Sequence, residues 1–500
     1  MKQASLFLTY SEFSYLCSQM GENLKERTAK GLFWGVLNNG TTQVLNILIG
    51  IFLGRLLSPE DYGIVGVLTI FTVIAGNLQS SGFTQGLVNI KSPTARDYNS
   101  VFWFNVLASV TIYVILFLSA PLIAYFFDDP RLVRVSRFVF LGFLISSFGI
   151  AHNAYMLKNM MNRELTIVGF IALVISGMTG IIMAFRGWAY WSLACQQIIY
   201  ITVLNLGRYY YVPWQPQWKI DFGPVRRMFS FCVKILFTNI INTLSQHLLT
   251  FIFGRLFTIK DVGNYSQANN WNSKASLFVS GAIGQVAQPV LVEASTDRER
   301  QLRVYRKLLR FTAFLSFPLM LGLTLVGHEF ILVTIGEKWL RSIPLLQILC
   351  IGGAFMPFYT LYQNLAISMH RSDIYLWCNL LQIVLQISIV LLFSRYGMTT
   401  MVIVYTLFLI LWLVVWQWFA RKLIGLRFRH AAKDVIPFLL ITVFTMGVTW
   451  LLTYRISNDI LLIVSRVLIA AVIYFVMLKL FHSAILDECI AFGRKKLGKG

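Results

Sequence analysis

Ile51-Phe52-Leu53-Gly54-Arg55-Leu56-Leu57-Ser58-Pro59-Glu60-Asp61-Tyr62-Gly63 stands between two long apolar runs. It returns 200 positions later as Phe251-Ile252-Phe253-Gly254-Arg255-Leu256-Phe257-Thr258-Ile259-Lys260-Asp261-Val262-Gly263. Gly54, Arg55, Leu56, Asp61 and Gly63 all recur at that offset without a gap. So long a period marks a duplicated lobe rather than a solenoid of short repeats. Each copy contains a Ser/Thr-x-x-Asp capping box, Ser58 to Asp61 and Thr258 to Asp261. In such a box the hydroxyl accepts the N–H three residues on and the carboxylate reaches back. Each copy therefore reads as helix, Gly-Arg turn, capped helix.

Working outward, the chain has 500 residues, of which 57% are apolar and 13% charged. A soluble protein of that composition would expose far too much apolar surface. Apolar runs of about 20 residues, enough to cross a bilayer as a helix, recur along its length. Fourteen spans are expected. Six form a first lobe at 31–53, 60–86, 100–127, 137–157, 165–185 and 189–211. Six form a second at 229–253, 260–292, 308–335, 344–368, 374–394 and 398–420. Two more, near 434–454 and 460–481, have no partner in the repeat. The fold class is thus an all-α polytopic membrane protein. In domain terms, 1–30 is a cytoplasmic N-terminal segment, 31–211 the N-lobe and 212–228 a cytoplasmic linker. Residues 229–420 are the C-lobe, 434–481 the two extra spans and 482–500 a basic cytoplasmic tail.

The net charge of +22 would suggest nucleic acid in a soluble protein. Here the basic residues fall in alternate loops. Lys25, Arg27, Lys30, Lys158, Arg163, Arg226, Arg227, Arg298, Arg300 and Arg303 all lie on one side. The other side holds few, such as Arg131 and Arg455. This asymmetry places both termini in the cytoplasm. With six spans per lobe, the second lobe enters the membrane in the same sense as the first. The lobes are then parallel repeats, related by a pseudo-two-fold axis along the membrane normal, with a cleft between them as the expected site. The six cysteines are scattered without a Cys-x-x-Cys pair, which indicates neither a disulfide framework nor a metal site. No phosphate-binding loop, metal motif or nucleophile elbow is present, so no enzyme is indicated.

Four spans break the apolar monotony, and they flank the two turns. Asn39, Thr42 and Asn46 lie on one face of the first, and Thr72, Gly76 and Gln79 on one face of the second. The seventh carries Lys234, Thr238, Asn242 and Gln246, and the eighth carries Gln267, Asn270, Lys274 and Gln285. Single amides of this kind can serve as helix–helix glue, each worth less than about 1 kcal/mol. Four coincident stripes instead favour a shared wet cavity. Lys274 lies near mid-span, where a lysine costs roughly 2.5–3.5 kcal/mol on insertion scales. Lys234 lies nearer the cytoplasmic end, where snorkelling competes with a ligand role. No Asp or Glu sits mid-span in the sequence. A cationic cavity suits an anion, phosphate above all, with Lys274 and Lys234 as its ligands. It argues against an exporter of cationic drugs, which needs a buried carboxylate. Arg55 and Arg255 each close a helix at the outer face. There a cation complements the C-terminal dipole, so a structural role competes with substrate binding.

Several segments carry a resemblance. They are Leu24-Lys25-Glu26-Arg27-Thr28-Ala29-Lys30-Gly31, the Leu53–Gly63 turn, and Ile335-Gly336-Glu337-Lys338-Trp339 followed by Ile343-Pro344-Leu345-Leu346-Gln347. On these the chain resembles the Wzx-type polysaccharide flippases, O-antigen and colanic-acid-like, of the multidrug/oligosaccharidyl-lipid/polysaccharide (MOP) superfamily. The resemblance implies a MATE-like fold of two six-helix lobes plus two C-terminal helices. It implies movement of an undecaprenyl-pyrophosphate-linked oligosaccharide from the cytoplasmic to the periplasmic leaflet of a bacterial inner membrane, by alternating access. Membrane lipids are the other implied partner, together with a polysaccharide polymerase and further assembly proteins, but not nucleic acid. No cofactor is implied, and coupling to protons or sodium stays open. Met20-Gly21-Glu22-Asn23-Leu24 is similar to the family's opening, which marks Met20 as the expected native start. The alternatives are a MOP-fold small-molecule antiporter, disfavoured by the missing carboxylate, and a membrane enzyme of polysaccharide assembly, disfavoured by the short outside loops.

Overall fold

A computed structural model describes residues 42–80, 82–90, 92–218, 220–294, 297–369, 371–481, 483 and 485–488. Among these residues there is no strand. The helices in chain order are α1 (Thr42–Leu56), α2 (Pro59–Ser80), α3 (Phe83–Asn89), α4 (Ala95–Phe126), α5 (Arg131–Ser147) and α6 (Ile150–Lys158). Next come α7 (Asn162–Phe185), α8 (Trp191–Tyr211), α9 (Gly223–Leu256), α10 (Ile259–Glu293), α11 (Arg298–Thr334) and α12 (Ser342–Gly353). The last are α13 (Met356–Ser368), α14 (Ser372–Leu392), α15 (Met398–Ile424), α16 (Phe428–Thr453) and α17 (Asp459–Leu480).

Among the described residues, nine spans are long and apolar enough to cross a membrane, or ten with the bent pair α5–α6. The helices at the other expected spans, α1, α8, α9 and α10, are shorter as described or more polar. Of these, α9 and α10 carry the expected polar stripes, and at 34 and 35 residues they are ample in length. The chain divides into two compact units, and the division cuts through two helices. One unit holds the described residues up to Leu56 with Phe71–Ile240, and the other holds Leu57–Ile70 with everything from Ile241. In the first, α4 packs along α5 and α7 along α8. In the second, α10 packs on α12 and α13, and α11 on α12, α16 and α17.

The capped part of each repeat, Leu57–Gly63 and Phe257–Gly263, lies in the second unit, and the two touch each other. A Cβ on Gly63 would overlap the Ile259 carbonyl oxygen, and a Cβ on Gly263 would overlap the Pro59 carbonyl oxygen. Ile259 is the counterpart of Pro59 at the 200-residue offset, so the contact is reciprocal. One turn further, a Cβ on Gly66 would stand 2.6 Å from the Oγ of Ser266, its own counterpart. Only glycine lets two helix backbones approach this closely. The caps hold the approaching ends. Asp61 accepts from the Ser58 N–H and hydroxyl at 2.8 and 2.7 Å, and the Asp61 N–H donates to Ser58 Oγ. In the second turn the Thr258 hydroxyl donates to Asp261 at 2.6 Å, and the Asp261 N–H returns a bond at 3.2 Å. The Gly336–Trp339 segment closes over them. The Trp339 ring stands edge-on to Tyr62 at 5.3 Å, and Arg341 lies 3.7 Å from Asp261.

Three expected spans are interrupted rather than continuous. The second is split into α2 and α3, the fourth into α5 and α6 with a 45° bend, and the tenth into α12 and α13. No proline marks the α5–α6 break. Its cause is Asn205 of α8, whose amide donates to the Ile145 carbonyl and occupies the space a Cβ on Gly149 would need. At the α12–α13 break, Ser316 donates to the Ala354 carbonyl at 2.7 Å. In both places a side chain from a neighbouring helix satisfies a carbonyl at the break, as a buried backbone group requires.

Gly263→Ala places a methyl against backbone that cannot turn aside. It should lower stability by about 1–3 kcal/mol, the range for overpacking. Gly281→Ala, where nothing lies within 4 Å of the added Cβ, should be neutral or slightly stabilising. Thermal unfolding of the two purified variants in the same detergent checks the contrast.

Candidate functional site

The strongest sequence candidate, Lys274, lies 15 residues into α10, about 22 Å from its first turn at 1.5 Å per residue. Its side chain is half-buried, with Nζ 4.7 Å from the centroid of the Trp271 ring. A cation over an indole face is held by the ring quadrupole, worth about 0.5–1 kcal/mol when exposed and more when dry. Trp271 is itself fixed edge-on against Phe330 of α11 at 5.0 Å. The ammonium is therefore positioned by a ring that cannot swing away.

Around Lys274 the helix has two characters. Gln267 is buried against the protein. Asn270, Leu277, Phe278 and Gly281 are exposed. Asn270, Lys274, Phe278 and Gly281 follow at helical spacing, so a single face runs from amide and ammonium to aromatic and bare backbone. A face turned to lipid would not carry Asn and Lys at such depth. The arrangement suits one molecule with a charged group and an apolar part.

The other candidates fall elsewhere. Thr42, Asn46 and Thr72 are half-buried in the first unit. Asn39 lies outside the described residues, as do the side chains of Gln79, Lys234, Asn242, Gln246 and Gln285. Arg55 and Arg255 are exposed in the last turns of α1 and α9, where a cation suits the helix dipole.

Sequence reading missed two buried charge networks in the second unit. One of them centres on Arg466. It is buried on α17 and donates to Glu329 of α11 at 2.8 Å and to the Leu325 carbonyl at 2.9 Å. Near the other end of α11, Arg306 makes a two-pronged bond to buried Asp434 of α16 at 2.7 and 3.0 Å, with Arg310 3.6 Å away. The two unrepeated helices are thus fastened to α11 at both ends. No group of three or more His, Cys, Asp or Glu side chains that could hold a metal occurs among the described residues.

Many helices of spanning length and a duplicated capped turn define a multi-pass membrane protein. The chain belongs to the polysaccharide biosynthesis protein family, which matches residues 52–344. It is 23% identical over 478 residues to the succinoglycan biosynthesis transport protein ExoT of Rhizobium meliloti, covering 93% of this chain and 95% of that protein. It is 24% identical over 339 residues to the lipopolysaccharide biosynthesis protein WzxC of Escherichia coli, covering 66% of this chain and 68% of that one. It is 22% identical over 429 residues to the teichuronic acid biosynthesis protein TuaB of Bacillus subtilis, covering 85% and 89%. In fold it is similar to the lipid II flippase MurJ in an inward closed conformation, with a TM-score of 0.69 at 14% identity over 91% of this chain and all of MurJ. An inward-facing multidrug resistance MATE transporter of the MOP superfamily gives a TM-score of 0.59 at 13% identity, covering 81% and 95%. The fold is thus one that a lipid flippase and a multidrug transporter share, and the family is one of polysaccharide biosynthesis.

Glu329→Gln removes the carboxylate and leaves the Arg466 guanidinium buried without its counter-charge. Breaking a buried pair from one side costs about 3–5 kcal/mol. The double variant Glu329→Leu with Arg466→Met should recover most of that loss. Thermal melts of the three proteins measure it.

Proposed function

We propose that this protein carries a lipid-linked oligosaccharide from the cytoplasmic to the outer leaflet of the bacterial inner membrane, delivering it for polymerisation into a surface polysaccharide. The carrier is undecaprenyl pyrophosphate. The observation that carries the reading is the open face of α10, where Lys274 is held over Trp271 beside exposed Asn270 and apolar Phe278. The substrate has the same order of chemistry: a polar glycan, a dianionic pyrophosphate linkage, then hydrocarbon. Lysine binds the pyrophosphate as a point charge. Asn270 and the amides of the other stripes meet hydroxyl groups, and Lys234 assists capture near the cytoplasmic mouth. Names borne by similar proteins support this reading, since they include a lipid II flippase and proteins of lipopolysaccharide and succinoglycan assembly. The Lys and Arg asymmetry supports cytoplasmic termini.

Charge at position 274 is then the requirement, with packing secondary. Lys274→Gln should reduce polymer export at least tenfold, which corresponds to about 1.4 kcal/mol. Lys274→Arg should retain part of it, because the charge persists while its geometry changes. Lys234→Gln should be the milder loss. The measurement is export of the polymer in a strain deleted for its flippase, with the amount of protein in the membrane quantified alongside. Full export by Lys274→Gln at normal membrane level would overturn the anion-binding role of α10.

A further inference from the structure

The first unit holds a second basic group that the reading above does not use. Arg208 sits in the last turn of α8, and its side chain does not run out past Tyr211 to water. It reaches back along the helix, where it meets Asn205 and feels the Tyr200 phenol. The guanidinium has five N–H donors. Among the described residues its single hydrogen bond is a long one, 3.5 Å from Nη1 to Asn205 Oδ1. Its Nε is buried with no acceptor. No carboxylate pairs with it among the described residues.

The surroundings sharpen the anomaly. Nη1 lies 3.1 Å from the point a Cβ on Gly149 would occupy, and Gly149 is the residue that opens α6. No side chain caps that helix start. A helix N-terminus carries partial positive charge and favours anions, so a cation beside it is set against the dipole. The carbonyls at the end of α5 do not relieve it: none accepts from Arg208, and several serve other donors. Ile145 is taken by Asn205, Leu144 by the Ser147 hydroxyl and Ser146 by the N–H groups of Phe148 and Gly149. Phe148 has its carbonyl 3.2 Å from Nδ1 of His152. His152 is wholly buried, stacked on Tyr209 at 3.8 Å between ring centroids and 5.1 Å from Trp214, so it packs the bend from the side.

An under-bonded guanidinium and an uncapped helix start thus meet at the bend between α5 and α6. Both favour negative charge, and no carboxylate among the described residues supplies it. We propose that this bend is an oxyanion subsite, with Arg208 as the principal ligand and the first N–H groups of α6 completing it, distinct from the face that bears Lys274. The oxyanion is a phosphate group, from either the diphosphate of the carried lipid or an anionic lipid headgroup. Only the first of these sources rests on the flippase reading.

The test uses the full-length protein in nanodiscs, with thermal stability and binding read together. In phosphatidylcholine discs, geranyl diphosphate and inorganic pyrophosphate are titrated against wild type, Arg208→Gln and Arg208→Lys. Wild type should gain thermal stability with both probes. Arg208→Gln should bind about ten- to hundredfold more weakly, the loss expected for a charge-assisted bond. Arg208→Lys should fall between. Without ligand, Arg208→Gln should be at least as stable as wild type, since it removes a half-buried charge that has no counter-charge among the described residues. A purely structural arginine would give the opposite sign. Repeating the titration with phosphatidylglycerol in the discs separates the sources. Unchanged diphosphate binding assigns the subsite to the carried lipid. Stabilisation by phosphatidylglycerol that blocks the diphosphate assigns it to the headgroup. Equal responses in wild type and Arg208→Gln, or no response in wild type, overturn the subsite. Neither result bears on export by the Lys274 variants, so the two readings fail separately.

Discussion

Backbone pressed against backbone at Gly63 and Gly263 is the constraint on which much of the described structure depends. Two helix starts share a space that no β-carbon could enter. Helix ends brought so close would leave N–H groups without partners, so both carry caps, built from Ser58 with Asp61 and Thr258 with Asp261. The crossing also fixes where α2 and α10 begin. The depth of every residue further along α10, Lys274 included, follows from that anchor at 1.5 Å per residue. The Trp339 ring against Tyr62 and the guanidinium of Arg341 near Asp261 add a third segment to the same junction. This explains why the stretches with the most recognisable sequence lie at the turns and carry no reactive chemistry.

Elsewhere among the described residues, three charges committed to the interior each have a partner or a ring at hand. Glu329 meets Arg466, Asp434 meets Arg306, and the Lys274 ammonium lies over Trp271. Desolvation makes an uncompensated charge expensive in this environment, so each such residue must be matched. Arg208 departs from that pattern, and the departure draws attention to the bend beside Gly149.

The spans and the doubled turn were legible in the sequence because each rests on local pattern. Apolar runs declare themselves by length, and five identities at a fixed offset declare a duplication. Lys274 was legible because a lysine inside an apolar run is costly wherever the chain folds. The bend at Gly149 was not, because its cause is Asn205, more than fifty residues away, whose amide takes the Ile145 carbonyl. Arg208 was hidden for a related reason. An arginine in the last turn of a span reads as snorkelled, and only tertiary contact with Gly149 and Asn205 shows that it turns inward. The pairing of Arg466 was hidden likewise, because Glu329 lies 137 positions earlier.

The reciprocity of the glycine crossing also speaks to origin. Gly63 faces Ile259, Gly263 faces Pro59, and Gly66 faces its own counterpart Ser266. A contact in which each half offers the same patch to the other is isologous, the geometry of a two-fold dimer. A half-length ancestor pairing with itself would have made both sides of this junction from one gene. Once the two copies were joined in a single chain, the patches were free to diverge, and Pro59 and Ile259 have. Gly63 and Gly263 have not, because each is held in place by the other copy's main chain, which no side-chain substitution can move aside.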